Sequence, residues 1–314
     1  MDYGNIIKKY PWLIQKDIKC IISPDADGML CGLFMSNYLN WKIVGYYDNG
    51  KNLILKNKLR AEDCVFLDTE IYRENIKSMG HHISLLRNEN TDIDIKKYSN
   101  CLNPNFLRDR TLKNGFSLKY PMGTIHLLIC IVGQRYPIKY LSNSFFAVLQ
   151  ADGTINRFVD KYSENLRDWL EYLGIDKSDN TLNKILKREI NLIDLNKEYV
   201  EYVKKFVKSK GDKIPVSNKG ILQKESFNKN FTEFSSSCIG AVETYLKFLS
   251  ETTGWEYKKG NWTFEEFRLY EFNKKIVKPG VGTFNTAVRE NFLSLAITAN
   301  DTMEYTIEKP DKLP

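Results

Sequence analysis

Paired cysteine spacings and long apolar runs are missing from this 314-residue sequence, and histidine occurs only three times. Its six cysteines, at 20, 31, 64, 101, 130 and 238, are scattered, most of them inside apolar runs such as 127–132. That pattern excludes a disulfide framework and a thiolate zinc cluster, and it suits reduced core residues of a cytosolic protein. No stretch approaches the roughly 20 apolar residues a bilayer span needs, and the opening residues, MDYGNIIKKY, lack an apolar signal core. A cytoplasmic location is expected. Internal repeats and low-complexity segments are absent as well.

What is there supports a substantial globular protein. With 42% hydrophobic and 27% charged residues, the chain can bury a sizeable core and divide into two domains. Lysine and arginine outnumber aspartate and glutamate by 46 to 39, a formal charge of +7. This surplus suits an anionic partner such as nucleic acid, and equally a lysine-rich solvated surface.

The chain is organised on residues 18–31, IKCIISPDADGMLC. An isoleucine-rich run stops at Pro24, aspartates follow at 25 and 27, and Gly28 opens an apolar segment with helical spacing over 29–39. The pattern predicts strand, tight loop and helix. Alternation along the loop can turn Asp25 and Asp27 to one side, at the carboxyl end of a strand, where open α/β sheets place their ligands. Two hard oxygen donors there suit a divalent metal. The plainer alternative is an acidic turn in which Asp27 caps the following helix.

A short amphipathic helix is expected over 5–15. Residues 42–47, KIVGYY, read as a second strand, 48–50 as a turn, and 53–59 are ambiguous. DCVFLD, 63–68, is a further apolar strand ending in Asp68; a helical pattern covers 71–79, and 81–86 reads as the next strand. Strands alternating with helices predict an α/β fold with a mostly parallel, doubly wound sheet. Asp25, Asp27 and Asp68 would project from one sheet edge, and His81 and His82 would join them if their loop lies on the same rim. These donors suit manganese or magnesium. His126, inside the apolar helix expected over 122–131, reads as a core residue.

Four ordered motifs, Asp25-Ala26-Asp27-Gly28, Asp68 in FLDTE, Gly80-His81-His82 and Ala151-Asp152-Gly153 after FFAVLQ, resemble those of the DHH phosphoesterase superfamily. That superfamily includes RecJ-type single-strand exonucleases, oligoribonucleases, cyclic-dinucleotide phosphodiesterases and manganese pyrophosphatases. The resemblance covers roughly residues 15 to 160 and implies a centre of two manganese or magnesium ions. Asp25 and Asp27 would each hold a metal, Asp68 would bridge the two, and His81 and Asp152 would complete the second metal's shell. Hydrolysis would use metal-activated water and no protein nucleophile. His82 would face the substrate phosphate, as a transition-state contact or as proton donor to the leaving group. Asn103-Pro104-Asn105, with Arg108 and Arg110 beyond, is similar in placement to the segment after the superfamily's histidine pair; Asn105 and both arginines are candidate phosphate contacts. The sequence departs from the pattern twice. Ile21 and Ser23 stand where a further ligand precedes the paired aspartates. Gly80 takes the first place of the Asp-His-His triplet, removing a carboxylate able to orient the histidine.

Beyond Asp152, a helix over 156–173 should stop at Gly174. After a polar break at 177–180, a long amphipathic helix from Thr181 to Lys210 should carry Leu182, Ile185, Val200 and Val203 on one stripe and end at Gly211. It resembles the superfamily's interdomain helix. The expected division is a DHH-like metal-binding catalytic domain over 1–175, a linking helix over 176–212 and a smaller α+β substrate-binding domain over 213–314. Within the last, β-like runs at 220–222, 293–298 and 303–307 alternate with a helix over 238–252 and an aromatic-rich segment over 255–272 interleaved with basic residues. Such interleaving suits single-stranded nucleic acid, although aromatics so spaced also read as core. KPGVGT, 278–283, is a turn whose backbone can approach phosphate, with Lys278 and Arg289 as candidate substrate contacts. The tail over 308–314 should fray. The expected function is metal-dependent hydrolysis of single-stranded nucleic acid or short oligonucleotides. The alternatives are a small-molecule phosphoesterase acting on cyclic dinucleotides or pyrophosphate, and a degraded nucleotide- or strand-binding module.

Overall fold

A computed structural model describes residues 1–86, 91–158, 160–177, 179–186, 192–208, 227–228 and 232–314. Its larger sheet comprises β1 (Lys19–Ile22), β2 (Lys42–Tyr47), β3 (Asn52–Lys56), β4 (Cys64–Leu67), β5 (Lys77–Met79), β6 (Cys101–Leu102) and β7 (Phe267–Glu271), in the order β6-β5-β4-β1-β2-β3-β7. The five strands from β6 to β2 run parallel, β3 turns back against β2, and β7 is antiparallel to β3. A second, antiparallel sheet has the order β8-β10-β9, from β8 (Asn273–Val277), β9 (Ser294–Ala299) and β10 (Thr302–Ile307). The mostly parallel α/β architecture expected from the sequence is present.

Helices α1 (Tyr3–Lys9), α2 (Ala26–Leu39), α3 (Pro104–Leu107), α4 (Leu112–Gly115), α5 (Thr124–Val132), α6 (Ser144–Gln150), α7 (Ser163–Tyr172), α8 (Thr181–Leu186), α9 (Leu192–Lys208), α10 (Ser236–Thr253) and α11 (Val281–Arg289) complete the described residues. α2 is apolar nearly all round because it is buried nearly all round, between β1, α5 and α10. None of the described helices is long and apolar enough to cross a membrane. All six cysteines are free and buried, as their apolar surroundings imply.

Several local expectations are corrected. Residues 71–79 are not helical: Ile71 bridges to Ser294, and Lys77–Met79 is β5, paired with β4. So short an apolar pattern does not separate a helix from a strand whose partner is distant. Residues 81–86 contribute a single bridge, Ile83 to Ile297. The ambiguous 53–59 contains most of β3. The first helix stops at Lys9, before Pro11 opens a 3-10 turn. The helix expected over 156–173 is a 3-10 stretch ending at Phe158 followed by α7, which does stop at Gly174, φ 65°. Residues 278–283 are only half turn, since Val281 begins α11.

α8 and α9 lie along the expected linking helix, whereas Gly211 and the run at 220–222 fall outside the described residues. On α9, Val200 faces solvent; Tyr202 turns inward instead, stacked on Phe146 at 5.5 Å. The tail does not fray: Pro314 accepts a hydrogen bond from Ala61 N–H at 2.9 Å, and Asp311 N–H donates to Glu271 at 3.1 Å.

The two sheets do not part at residue 213. α10 packs on α2 and α6, and β7 is an edge of the larger sheet. Trp255 meets Phe34 edge-on at 4.8 Å, and Trp262, Phe264, Phe267 and Phe272 are also buried, so the aromatic segment is mainly core rather than an open stacking surface. Among the described residues, 273–307 build the second sheet, which docks through β9 onto 71–83.

Candidate metal centre

Because β1, β2, β4 and β5 are parallel neighbours, the residues that leave their carboxyl ends share one rim. β1 delivers Ser23 and Asp25, β2 delivers Asn49, β4 delivers Asp68 and Glu70, and β5 delivers His81 and His82. The first turn of α2 adds Asp27. Only glycine fits at 28, where a Cβ would stand 2.2 Å from the Ser23 carbonyl oxygen. Asp68 and Asp152 have φ of 64° and 50°, conformations that cost energy for a non-glycine residue and collect at functional sites.

Asp27, Asp68 and His81 are buried and offer ligand atoms that all lie within 4.8 Å of one another. This group could hold a metal ion. His81 Nδ1 is 3.2 Å from Asp68 Oδ1 and 3.8 Å from Asp27 Oδ2, while its Nε2 is 3.1 Å from Asp152 Oδ2. Asp152 reaches the ring from the kink after α6, with 48% of its side chain exposed. Thr124, at the start of α5, donates its hydroxyl to Asp68 Oδ1 at 2.8 Å and lies 3.1 Å from His81 Nδ1.

Asp25 stands beside this group. Its Oδ1 accepts from Gly28 N–H at 3.0 Å, capping α2, and from Ser23 Oγ at 2.9 Å. Asp27 is a cap too, but of a different helix: its oxygens accept the N–H groups of Thr124 and Ile125 at 2.5 and 3.1 Å, the first turn of α5. Ser23 Oγ is also 2.6 Å from Asp68 Oδ2. A hydroxyl has one proton and cannot donate to both carboxylates. Either one of the two carboxyls carries a proton of its own or a cation relieves the crowding.

The electrostatics agree with that geometry. Burial, then the Asp68 charge, pushes Asp25 up to about 7, against the Gly28 and Ser23 hydrogen bonds. Burial and Asp68 raise Asp27 as well. Burial would raise Asp68 and Asp152 likewise, but hydrogen bonding and charge from His81 hold both below the ordinary carboxylate range. For His81, burial favours the neutral ring, yet Asp152 and Asp68 hold its pKa well above the ordinary value.

His82 stacks on His81 with ring centroids 4.3 Å apart. It lines a small cavity, about 120 Å³, whose walls include Asp25 and Glu70 on one side and Lys274, Thr298 and Glu304 of the second sheet on the other. His126 is the buried core residue expected, its Nδ1 3.1 Å from the Gly123 carbonyl and its pKa lowered by burial to about 4.

The outer candidates have other occupations. Asn105 is fully buried; its amide donates to the His81 carbonyl at 2.7 Å and accepts from Tyr120 N–H at 2.8 Å, so it holds the histidine backbone instead of presenting itself to a phosphate. Arg108 pairs with Asp168 at 2.6 Å and lies over the rings of Trp169 and Tyr172 at 4.5 and 4.7 Å. The Arg110 Nε is buried without a hydrogen-bond partner among the described residues. Lys278 is exposed, Arg289 donates to Thr286 within its own helix, and neither lines the cavity. Sequence reasoning missed Glu70, Thr124, Asn49 and the placement of Lys274. Glu70 stood two residues from a recognised aspartate, and Thr124 at the mouth of a recognised apolar helix. The chain matches no family model, no curated protein and no solved structure.

Proposed function

We propose that this protein is a divalent-metal-dependent phosphoesterase of the DHH type that hydrolyses single-stranded nucleic acid or short oligonucleotides. The observation that supports it is the convergence of Asp27, Asp68 and His81 behind adjacent parallel strands, with Asp152 on the second imidazole nitrogen. Carboxylate oxygens and imidazole nitrogen fit manganese or magnesium, and the one-proton conflict at Ser23 is the crowding a cation relieves. Asp27, Asp68 and His81 would hold a first ion, leaving Asp25 and Asp152 as donors toward a second. When bound, the metal supplies an activated water and neutralises phosphate charge.

The chain's own groups do the rest. Asn49 donates to the Asp68 carbonyl at 3.1 Å and fixes that left-handed turn. His82, at the cavity wall, hydrogen-bonds the phosphate or hands a proton to the leaving oxygen. Lys274, although paired with Glu304 at 2.6 Å, places a cation opposite the carboxylates. The second sheet docks through β9 onto residues 71 and 83 beside the rim.

A compact substrate, a cyclic dinucleotide or pyrophosphate, is the second reading, favoured by the small cavity and by the burial of the aromatic segment. Purified protein with manganese is assayed on labelled single-stranded DNA, short RNA, cyclic dinucleotide and pyrophosphate, with Asp68→Ala as control. Cleavage of the oligonucleotides, lost in Asp68→Ala, is expected. Cleavage of pyrophosphate alone would sink the nucleic-acid assignment, and metal binding without turnover on any substrate would leave a binding module.

A further inference from the structure

Glycine at 80 leaves the histidine step without a carboxylate of its own. A Cβ built there would stand 2.3 Å from Glu70 Oε1 and 2.5 Å from the Glu70 carboxyl carbon; the next obstacle, the Thr69 carbonyl carbon, is at 3.0 Å. The space a side chain at 80 would occupy is thus filled by a carboxylate that enters from the end of β4. Glu70 is 3% exposed, and its oxygens are committed to the same step of chain. Oε1 accepts from the His82 N–H at 2.7 Å and from the Asn103 amide at 3.1 Å, and Oε2 lies 3.3 Å from His82 Nδ1. Asn103 also donates to the His82 carbonyl at 2.7 Å, so ring and backbone are held together.

We infer that Glu70 is the positioning carboxylate of His82 and that Glu70 and Gly80 are reciprocal, each possible because of what the other is. A ring whose Nδ1 is tied to a carboxylate has its tautomer and orientation set, with Nε2 left for the cavity. The catalytic consequence rests on the phosphoesterase reading; the reciprocity does not. A carboxylate at 80 and one at 70 are alternative ways to fill a single place.

The test is a pair of cycles on the full chain with manganese, using Glu70→Ala, Gly80→Ala, Gly80→Asp and the combinations at both positions. In the thermal cycle, Gly80→Ala lowers the melting temperature sharply in the native background and costs less than half as much beside Glu70→Ala. Should Gly80→Ala not accumulate folded alone, its recovery in the Glu70→Ala background is the same result. In the kinetic cycle, Glu70→Ala lowers kcat about 10- to 100-fold, with KM and manganese affinity, measured by calorimetry, within about twofold. Glu70→Ala/Gly80→Asp regains at least about tenfold of that loss. Equal thermal costs of Gly80→Ala in both backgrounds overturn the reciprocity; unchanged kcat in Glu70→Ala, or a double variant no faster than Glu70→Ala, overturns the positioning role. A native protein without turnover refutes the phosphoesterase reading instead, and the thermal cycle still decides the reciprocity.

Discussion

Stripped of divalent metal, the protein should be more stable in mild acid than in mild base, and metal should remove that difference. Asp25 is held at about 7 by burial and the Asp68 charge instead of the ordinary 3.8. A carboxyl whose folded pKa is raised binds its proton more tightly folded than unfolded, so stability rises as pH falls through about 7 and the gain is complete near 4. The full difference corresponds to about 4 kcal/mol, of which about 2 kcal/mol falls between about pH 8.5 and about pH 5.5. Asp27 is raised by the same causes and adds in the same direction. His81, raised by Asp152 and Asp68 against burial, also contributes stability that is complete below its unfolded value and lost as pH rises through its folded one. Asp68 and Asp152 are lowered, so their contribution is complete above the ordinary carboxylate value and constant across this window. At about 2 °C per kcal/mol for a chain of this size, Asp25 alone moves the melting temperature by about 4 °C. Ligands must lose their protons to bind metal, so manganese stabilises more at high pH, by about 2.7 kcal/mol at a hundredfold excess over Kd. Thermal melts in EDTA and in manganese across this range check both slopes. A metal-free melting temperature that is flat, or that rises with pH, would refute the reasoning about the buried carboxylates.

Three further outcomes follow from side-chain placement. Arg108→Ala should leave kcat/KM within about twofold while lowering stability by about 1 to 3 kcal/mol, because the guanidinium is tied to Asp168 and two rings rather than to substrate; a tenfold kinetic loss would return it to the phosphate. Trp255→Ala should cost about 3 to 5 kcal/mol in urea unfolding, since the ring is fully buried against Phe34, and a near-neutral result would reopen the aromatic segment as a binding surface. Lys274→Ala should raise KM several-fold with kcat nearly unchanged, as expected for a cavity-wall cation that binds ground and transition states alike; steady-state kinetics in manganese separate the two constants.

How much of this was legible in the sequence depended on whether a residue's role is set by its neighbours in the chain or by its neighbours in space. Asp25, Asp27 and Asp68 could be read because each follows an apolar run that stops abruptly, and parallel pairing then carries them to one rim. The identity of α2 as a helix was equally local. By contrast, 71–79 took its conformation from β4 and β9, partners no periodicity reveals, and the aromatic segment showed itself as core only once Trp255 lay against Phe34. Val200, expected on the apolar stripe, faces solvent, and Tyr202 turns inward because α9 packs on both α6 and α10.

Gly80 carries the same reasoning one step further. In the linear sequence it is a deletion of chemistry, an absent carboxylate beside a histidine. In space, the vacated volume holds Glu70 within 2.3 Å of where the missing side chain would begin. A glycine in place of a functional residue therefore poses a packing question before a functional one: which side chain enters the room it leaves. If the entering group bears the same charge and hydrogen-bonds the same neighbour, as Glu70 does with His82, the departure would, on the proposed phosphoesterase reading, be a relocation. An apolar group in that space, or none, would have indicated decay. Ser23 stands differently: its hydroxyl lies between Asp25 and Asp68 as a neutral donor. On the proposed metal-dependent reading, the position before the paired aspartates would offer a hydroxyl in place of a ligand, while the histidine step would take its carboxylate from Glu70.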